Sequence, residues 1–335
     1  MNFQQLRAVR ETARSGFNLT EVAEALNTSQ PGISRQIREL EEELGVDIFV
    51  RAGKRLTQLT PPGEVVLPII ERLLVEAGNL KRAGEDFAAQ DAGRLSIAAT
   101  HSQARYALPT VVRDFRRIYP KVTLLLHQGS PRQVAEMLLS GEADVGIATE
   151  ALAGYGDLAA LPTYRWTHSV IVPPEHELLQ LGRPVTLNDL ARFPIITYET
   201  GFTGRAHTDE AFASADIKPD IVLSAMDADV IKTYVELGLG IGIVASIAFD
   251  SERDRTLRAI DVGHLFEVNI TRLALRRGTW LRGYVYDFIE SFAPNLTREA
   301  VDLALTGQET RSLLRKGTLD DEVARRGGVA FLEAA

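Results

Sequence analysis

Not one cysteine occurs in the 335 residues of this chain, which excludes disulfides, zinc–cysteine sites and thiol catalysis together. The six histidines, His101, His127, His168, His176, His207 and His264, are scattered without ligand spacing. Neither a G-x-S-x-G elbow nor an H-E-x-x-H pair is present, so the common hydrolase signatures are missing. No catalytic residue, metal or cofactor is expected. Long apolar runs are missing too. The start, MNFQQLRAVRETARSGF, offers none for a signal peptide, and the richest stretch, Leu239 to Phe249, falls far short of the roughly 20 residues that cross a membrane. A cytoplasmic protein without membrane contact is the expectation. Basic charge is also in short supply: 37 Lys and Arg face 45 Asp and Glu, a net charge of −8, which argues against non-specific coating of nucleic acid. The apolar fraction of 45% suffices for packed cores, and the length suggests two or three domains.

What is present gathers first in Asn18 to Leu44, NLTEVAEALNTSQPGISRQIRELEEEL, which reads as two helices joined by a very short turn. Leu19, Val22, Ala23 and Leu26 share one face of the first helix, and the small Ala23 lets a second helix cross closely. Asn18 and Glu21 have the spacing of a capping box. Ser29 is a natural N-cap for the second helix, Pro31 fits its first turn, and Gly45 ends it. Ile33, Ile37, Leu40 and Leu44 form its apolar stripe. Ser29, Gln30, Pro31, Ser34, Arg35 and Arg38 are left on the outward side near the N-terminal half, the half that a recognition helix pushes into a major groove. A helix from about Phe3 to Arg14, with Phe3, Leu6, Val9 and Ala13 inward, is expected to pack on this pair.

A helix pair with an outward arginine or two is common on protein surfaces. DNA binding gains weight from the adjoining segment, in which Asp47 to Val50 and Leu56 to Leu59 read as strands around a turn at Ala52 to Arg55. Arg51, Lys54 and Arg55 sit near this wing's tip, suited to phosphates, which position a protein on a duplex without reading its sequence. Across residues 1–62 eight basic side chains balance eight carboxylates, but the basic ones cluster on the outward face and wing. Affinity is therefore expected to rest on dimerisation and a modest number of phosphate contacts.

On the stretch FQQLRAVRETARSGFNLTEVAEALNTSQPGISRQIRELEEELGVDIFVR and the closing LTPPG, the chain resembles the LysR-type transcriptional regulators, without a gap over about the first 63 positions. The resemblance implies an N-terminal all-α winged helix-turn-helix plus a long linker helix, then a C-terminal α/β effector domain of two Rossmann-like subdomains, periplasmic-binding-protein-like. It places a DNA-binding domain at 1–60 and a linker and dimerisation helix at 61–91. The effector domain falls at 92–300, with subdomain I about 92–163 and 267–300 and subdomain II about 164–266. Residues 301–335 are a tail with no assigned role. Double-stranded promoter DNA is the implied partner, in a homodimer or homotetramer, with RNA polymerase a further partner to consider.

Val66, Ile69, Ile70, Leu73, Leu74, Ala77, Leu80 and Phe87 recur at threes and fours from Pro61 to about Gln90, which suits a helix that pairs with its own copy. A buried helix of a globular domain would show the same spacing. Pro68 lies past the first turn, removes the bond to the Glu64 carbonyl and predicts a bend between them. From Gly93 short apolar strands alternate with helices, the pattern of parallel α/β structure. Strands are predicted at 95–99, 122–127, 144–148, 169–172, 195–198, 220–224, 241–244 and 270–275, and helices at 104–119, 133–140, 205–214, 228–237 and 281–291. The chain is expected to cross between subdomains near Pro162 to Arg165 and return near Glu267.

In such sheets ligands sit beyond the carboxyl ends of strands, where helix starts offer free N–H groups. Ala99 to Gln103, Ala148 to Glu150 and Thr200 to Arg205 match that placement and supply hydroxyls, although Thr, Ser and Gly are also ordinary caps. The stretches ATHSQARYALP, DVGIATEAL, TYETGFTGR and MDADVIKTYVELGLGIGIVAS resemble the CysB subgroup, regulators of sulfur assimilation and cysteine biosynthesis. By that resemblance Thr100, Ser102, Gln103, Thr149 and Thr203 bind a small anionic effector, sulfate, adenylylsulfate or an O- or N-acetylserine, with Trp166 at the cleft wall. Ser102 stands where threonine is common, keeping the hydroxyl and losing a methyl. Arg105 is expected to face solvent or form a structural ion pair. An activator of cysteine biosynthesis genes is the first reading. A LysR-type regulator of sulfonate or taurine use, or one with an unrelated effector, is the second. An enzyme lacks its motifs here, and an exported solute-binding protein would need a signal and no helix-turn-helix.

Overall fold

Asn2 opens the first helix by accepting the N–H groups of Gln4 and Gln5, and the Gln5 side chain returns a bond to the Asn2 backbone. The computed structural model describes residues 1–53, 55–88, 91–307 and 330–331. Two compact units divide the chain: Met1–Ala88 with Gly278–Trp280, and the remainder.

In the first unit α1 spans Phe3–Arg14, α2 Leu19–Ala25 and α3 Gln30–Leu44. Leu6, Ala8, Val9, Leu19, Val22, Ala23, Ile33, Ile37 and Leu40 form their common core. Two expected core residues lie outside it. Phe3 is 53% exposed, because six residues at about 100° each put it some 120° away from Val9. Leu44 is also exposed, as the last residue before the left-handed Gly45 (φ 71°). Its expected place on the stripe is taken by Glu41, 5% exposed, whose Oε1 accepts the N–H groups of Ile48 (2.8 Å) and Phe49 (3.2 Å). The wing is an antiparallel hairpin of β1, Phe49–Ala52, and β2, Arg55–Leu59. Glu41 therefore pins the wing to α3. Thr60 leads into α4, Pro61–Ala88, whose third residue is Gly63. A Cβ on Gly63 would lie 2.1 Å from the Ile48 carbonyl oxygen, so only glycine fits that approach. Helix α4 buries Ile70 and half-buries Val66, Leu67 and Leu74, whereas Val65, Ile69, Leu73, Leu80 and Phe87 are exposed. It continues as helix through Pro68.

The second unit begins with β3, Ala92–Ala99, followed by a π-helical turn at Gln103–Ala107 and α5, Leu108–Ile118. Next come β4 (Lys121–Gln128), α6 (Pro131–Ser140), β5 (Val145–Ala148) and β6 (Leu158–Trp166). Strand β7 (His168–Val172) opens a second sheet, followed by α7 (Leu187–Leu190), β8 (Ile195–Tyr198) and α8 (Thr203–Ser214). Strand β9 (Ile221–Ala225), α9 (Ala228–Glu236), β10 (Ile241–Ala245) and β11 (Arg258–Asp261) complete it. The chain then returns through β12 (Asn269–Arg276) to α10 (Gly283–Phe292), α11 (Arg298–Leu305) and β13 (Ala330–Phe331).

Among the described residues the first sheet has the order β13-β6-β12-β5-β3-β4 and the second β11-β7-β10-β8-β9. Strands β4, β3 and β5 are parallel, as are β10, β8 and β9; the rest pair antiparallel. The sheets are mixed, not wholly parallel as expected. The crossing falls at Thr167, after β6, and not at Pro162 to Arg165. The nine-residue β6 is hidden in the sequence because Pro162 reads as a strand breaker. A shift of register between Thr271 and Arg272 of β12 accommodates it, and the intervening Thr163 hydroxyl bonds the Thr271 carbonyl at 2.9 Å.

Both faces of each sheet are covered. Phe115 of α5 and Phe288 of α10 meet edge to face at 5.6 Å within one core, and burying each such ring contributes about 1.5–3 kcal/mol. Val301, Ala304 and Leu305 of α11 join that core, so the packed fold runs past the expected limit at 300. Of the expected tail, 308–329 and 332–335 lie outside the described residues.

Candidate functional site

Strands β3 and β5 are adjacent and parallel, so the residues next after them, Thr100 and Thr149, emerge side by side at their carboxyl ends. The Thr100 N–H donates to the Ile147 carbonyl (3.1 Å) and its own carbonyl accepts from Ala104 (3.0 Å), which starts the helical turn. Helix α8 opens at Thr203 with no side-chain cap. Trp166 ends β6. These positions converge. Thr100, Ser102, Gln103, Thr149, Trp166 and Thr203 all line one cleft of about 430 Å³ that opens to solvent.

His101, Tyr198, Phe202, Gly204, Met226 and Ala245 complete the lining. Of these, His101, Phe202 and Gly204 fall within the turns that sequence reasoning set beside the site, whereas Tyr198, Met226 and Ala245 lie only within the stretches that carry the resemblance. Gly204 is needed for closeness: a Cβ there would lie 3.0 Å from His168 Nε2 and 3.1 Å from the Trp166 ring.

The polar groups of the cleft are not equally free. Thr149 Oγ1 and Thr203 Oγ1 hydrogen-bond each other at 2.6 Å, one from each subdomain. The Gln103 carboxamide is 2% exposed, accepts from the Tyr164 hydroxyl and donates to Thr271 Oγ1 at 3.2 Å. Its side chain is thus committed to the fold. The phenol oxygen of Tyr198 accepts the Ala245 N–H (3.1 Å) and lies within hydrogen-bonding reach of the Ser102 hydroxyl. Trp166 Nε1 is a buried donor with no partner among the described residues.

Behind the tryptophan His168 is fully buried, its ring edge-on to Trp166 and Phe266 at 5.3 and 5.2 Å. Burial, with the nearby His207 adding to it, pushes the His168 pKa down to about 4, so the ring is neutral near pH 7.

Among the described residues no Lys or Arg side chain lines the cleft. Arg205 is turned to Asp209 (2.7 Å) and the Tyr198 carbonyl (2.8 Å), and Arg105 forms its ion pair with Asp229 at 3.1 Å. An anion here meets hydroxyls, an indole N–H and the unpaired N–H groups at two helix starts.

On the first unit Ser29, Gln30, Pro31, Arg35 and Arg38 are exposed and Ser34 half-buried. Arg35 is extended to Glu39 (2.7 Å) with four-fifths of its side chain in solvent, and Arg38 donates to Ser34 Oγ at 3.3 Å. Arg51 stands in β1, paired with the buried Glu41, and so is not the free tip residue expected. Lys54 lies outside the described residues. Exposed Arg55 and Gln30 border a concavity of about 820 Å³ with Asn18 and Thr20.

A winged helix-turn-helix with an exposed outward face, and a two-lobed α/β module with a cleft lined by hydroxyls, define the architecture of a DNA-binding regulator. Comparisons with known proteins agree. The family model "Bacterial regulatory helix-turn-helix protein, lysR family" matches residues 3–64, and "LysR substrate binding domain" matches 88–297. The HTH-type transcriptional regulator CysB of Burkholderia cenocepacia is 56% identical over 308 residues, 92% of this chain and 98% of that one. The regulator SsuR of the same organism is 57% identical over 302 residues, 90% and 97% of the two chains. The crystal structure of the cofactor-binding domain of the Cbl transcriptional regulator covers 67% of this chain and 94% of its own, with 45% identity and a TM-score of 0.61. The chain belongs to the LysR family of bacterial transcriptional regulators, in the group of CysB, SsuR and Cbl. It is a DNA-binding regulator and not an enzyme. No described helix is long and apolar enough to cross a membrane.

Proposed function

We propose that this regulator controls sulfate assimilation and cysteine biosynthesis genes, as an activator, in response to a small oxyanion held in the cleft. Sulfate, adenylylsulfate, O-acetylserine and N-acetylserine are the candidate effectors. The hydroxyls of Thr100 and Ser102, whichever of the paired Thr149 and Thr203 hydroxyls keeps its proton free, the Trp166 N–H and the helix-start N–H groups are its donors; Gln103 contributes through its backbone and by bracing Tyr164. The observation that carries this reading is the convergence of those six positions on one cleft with no cationic side chain in it among the described residues. A compact anion can be held that way because fixed dipoles in a partly dry site need no counter-charge.

In the same reading Gln30 and Arg35 meet base edges, Lys54 and Arg55 contact phosphates, Ser29, Pro31, Ser34 and Arg38 share the face laid against the duplex, and Arg51 braces the wing through Glu41. The exposed stripe of α4 pairs with another copy to build a dimer or tetramer, residues 61–91 serve as linker, and the protein works in the cytoplasm beside RNA polymerase. The second reading, a regulator of sulfonate or taurine use, keeps its place because identities of 56% and 57% to relatives named CysB and SsuR do not choose between them.

Calorimetric titration of the full chain with the four effectors and with taurine, paired with DNA-binding anisotropy, tests both. Saturable binding of one of the four that changes DNA affinity supports the first reading. Binding of taurine alone selects the second. Binding of none removes the cleft as the effector site.

A further inference from the structure

Gln103–Ala107 forms a π-helical turn, which inserts one residue and rotates the next side chains by about 100° relative to a regular helix. Arg105 and Tyr106, immediately after the cleft residues Thr100, Ser102 and Gln103, thereby reach the other subdomain. Both end on Asp229, in the first turn of α9. Tyr106 Oη donates to Oδ1 at 2.7 Å and Arg105 Nε to Oδ2 at 3.1 Å, and His101 Nε2 lies 3.9 Å from Oδ2. The Tyr106 ring packs among the core residues beneath β8 and β10.

Asp229 is held from behind by Lys232, 3.1 Å from Oδ1. Lys232 is buried and stays satisfied without Asp229: it donates to both Asp254 oxygens (2.9 and 3.0 Å) and to the Ala248 carbonyl (3.0 Å). Loss of the Asp229 charge therefore strands no buried cation. What it releases is the grip of one subdomain on the turn of the other.

We infer that Asp229 is a positioning residue for effector binding: by clasping Tyr106 and Arg105 it holds the 100–107 turn in the closed arrangement that brings Thr149 against Thr203. This rests on the proposed effector reading, so the test has one arm that needs no ligand. A Trp280→Phe background leaves Trp166, at the cleft wall, as the sole tryptophan. In that full-length protein, Asp229→Asn and Tyr106→Phe are expected to make Trp166 more accessible to acrylamide quenching. They are also expected to raise the sulfate dissociation constant at least tenfold, with far-ultraviolet circular dichroism unchanged. The double variant is expected to weaken binding no more than the stronger single one, since both remove one contact. Unchanged quenching and unchanged sulfate affinity in both variants would overturn the inference. Additive losses would reduce Asp229 to a general stabiliser. Should Asp229→Asn unfold, Tyr106→Phe, which removes a single oxygen, decides alone. If the parent protein binds none of the four candidate effectors, the effector reading fails and the quenching comparison still decides the clasp.

Discussion

At the scale of single residues, Glu41 and His168 show how far burial changes what a polar side chain does. Glu41 occupies a helix position where a carboxylate ordinarily faces water, yet it takes two backbone N–H groups of the wing and the Arg51 guanidinium. Glu41→Ala leaves both donors unpaired and is expected to destabilise the winged unit by about 2–5 kcal/mol, read as a fall in its urea midpoint. His168 is held neutral, its pKa at about 4 against an unfolded value near 6.5. Below pH 6.5 the unfolded chain gains a proton that the folded one refuses, so stability falls as pH drops from 6.5 to 4 and levels off beneath. The loss from this group is on the order of 3 kcal/mol, and His168→Phe should flatten that part of the pH profile of unfolding while keeping the contacts to Trp166 and Phe266. Thr203→Ala removes one of the two hydroxyls that meet across the cleft. Calorimetry should show effector binding weaker by about 1–3 kcal/mol with the fold intact by circular dichroism.

Elements differ in how plainly the chain announces them, and the difference is physical. Helices α2 and α3 could be bounded because Asn18 and Ser29 cap them and the left-handed Gly45 stops the last. Strand β6 could not, because Pro162 interrupts its pattern and only the partner strand reveals the bulge that absorbs it. Strand β11 is four residues with a charged one at each end, too short for alternation to register. Helix α11 is two turns long, and its membership in the core depends on α5 and α10 arriving from elsewhere. The recognition helix was legible down to its outward face, while the cleft was reached through resemblance more than through its residues. Tyr198 and Met226 escaped because a largely apolar side chain at a strand end reads as core until the opposite wall is known. For α3 and the wing, Arg35→Ala is expected to relax sequence preference at a cost of about 1–3 kcal/mol, whereas Arg55→Ala should weaken all sequences alike and shallow the salt slope by about one. Anisotropy titrations on two DNA sequences at several salt concentrations separate these outcomes. For α4, Pro68→Ala restores a backbone donor inside a continuous helix and should stabilise it by up to about 3 kcal/mol, read as a rise in the thermal midpoint.

For the molecule as a whole, the cleft without a cation has a consequence for ionic strength. The two ligands of this regulator should respond to salt in opposite styles. DNA binding through the proposed basic contacts displaces condensed counterions, so its occupancy should fall steeply as salt rises. The anion proposed for the cleft would be held by short, fixed dipoles, while the chain around it carries a net charge of −8. At low salt that surplus slows the anion's approach; added electrolyte, with a Debye length of about 8 Å near 0.15 M, hides the surplus without reaching inside the cleft. Effector occupancy should therefore hold steady or improve across a range of chloride concentrations over which the promoter is released. A cell adjusting its osmotic balance would then lose grip on DNA before it lost the reading of its metabolite.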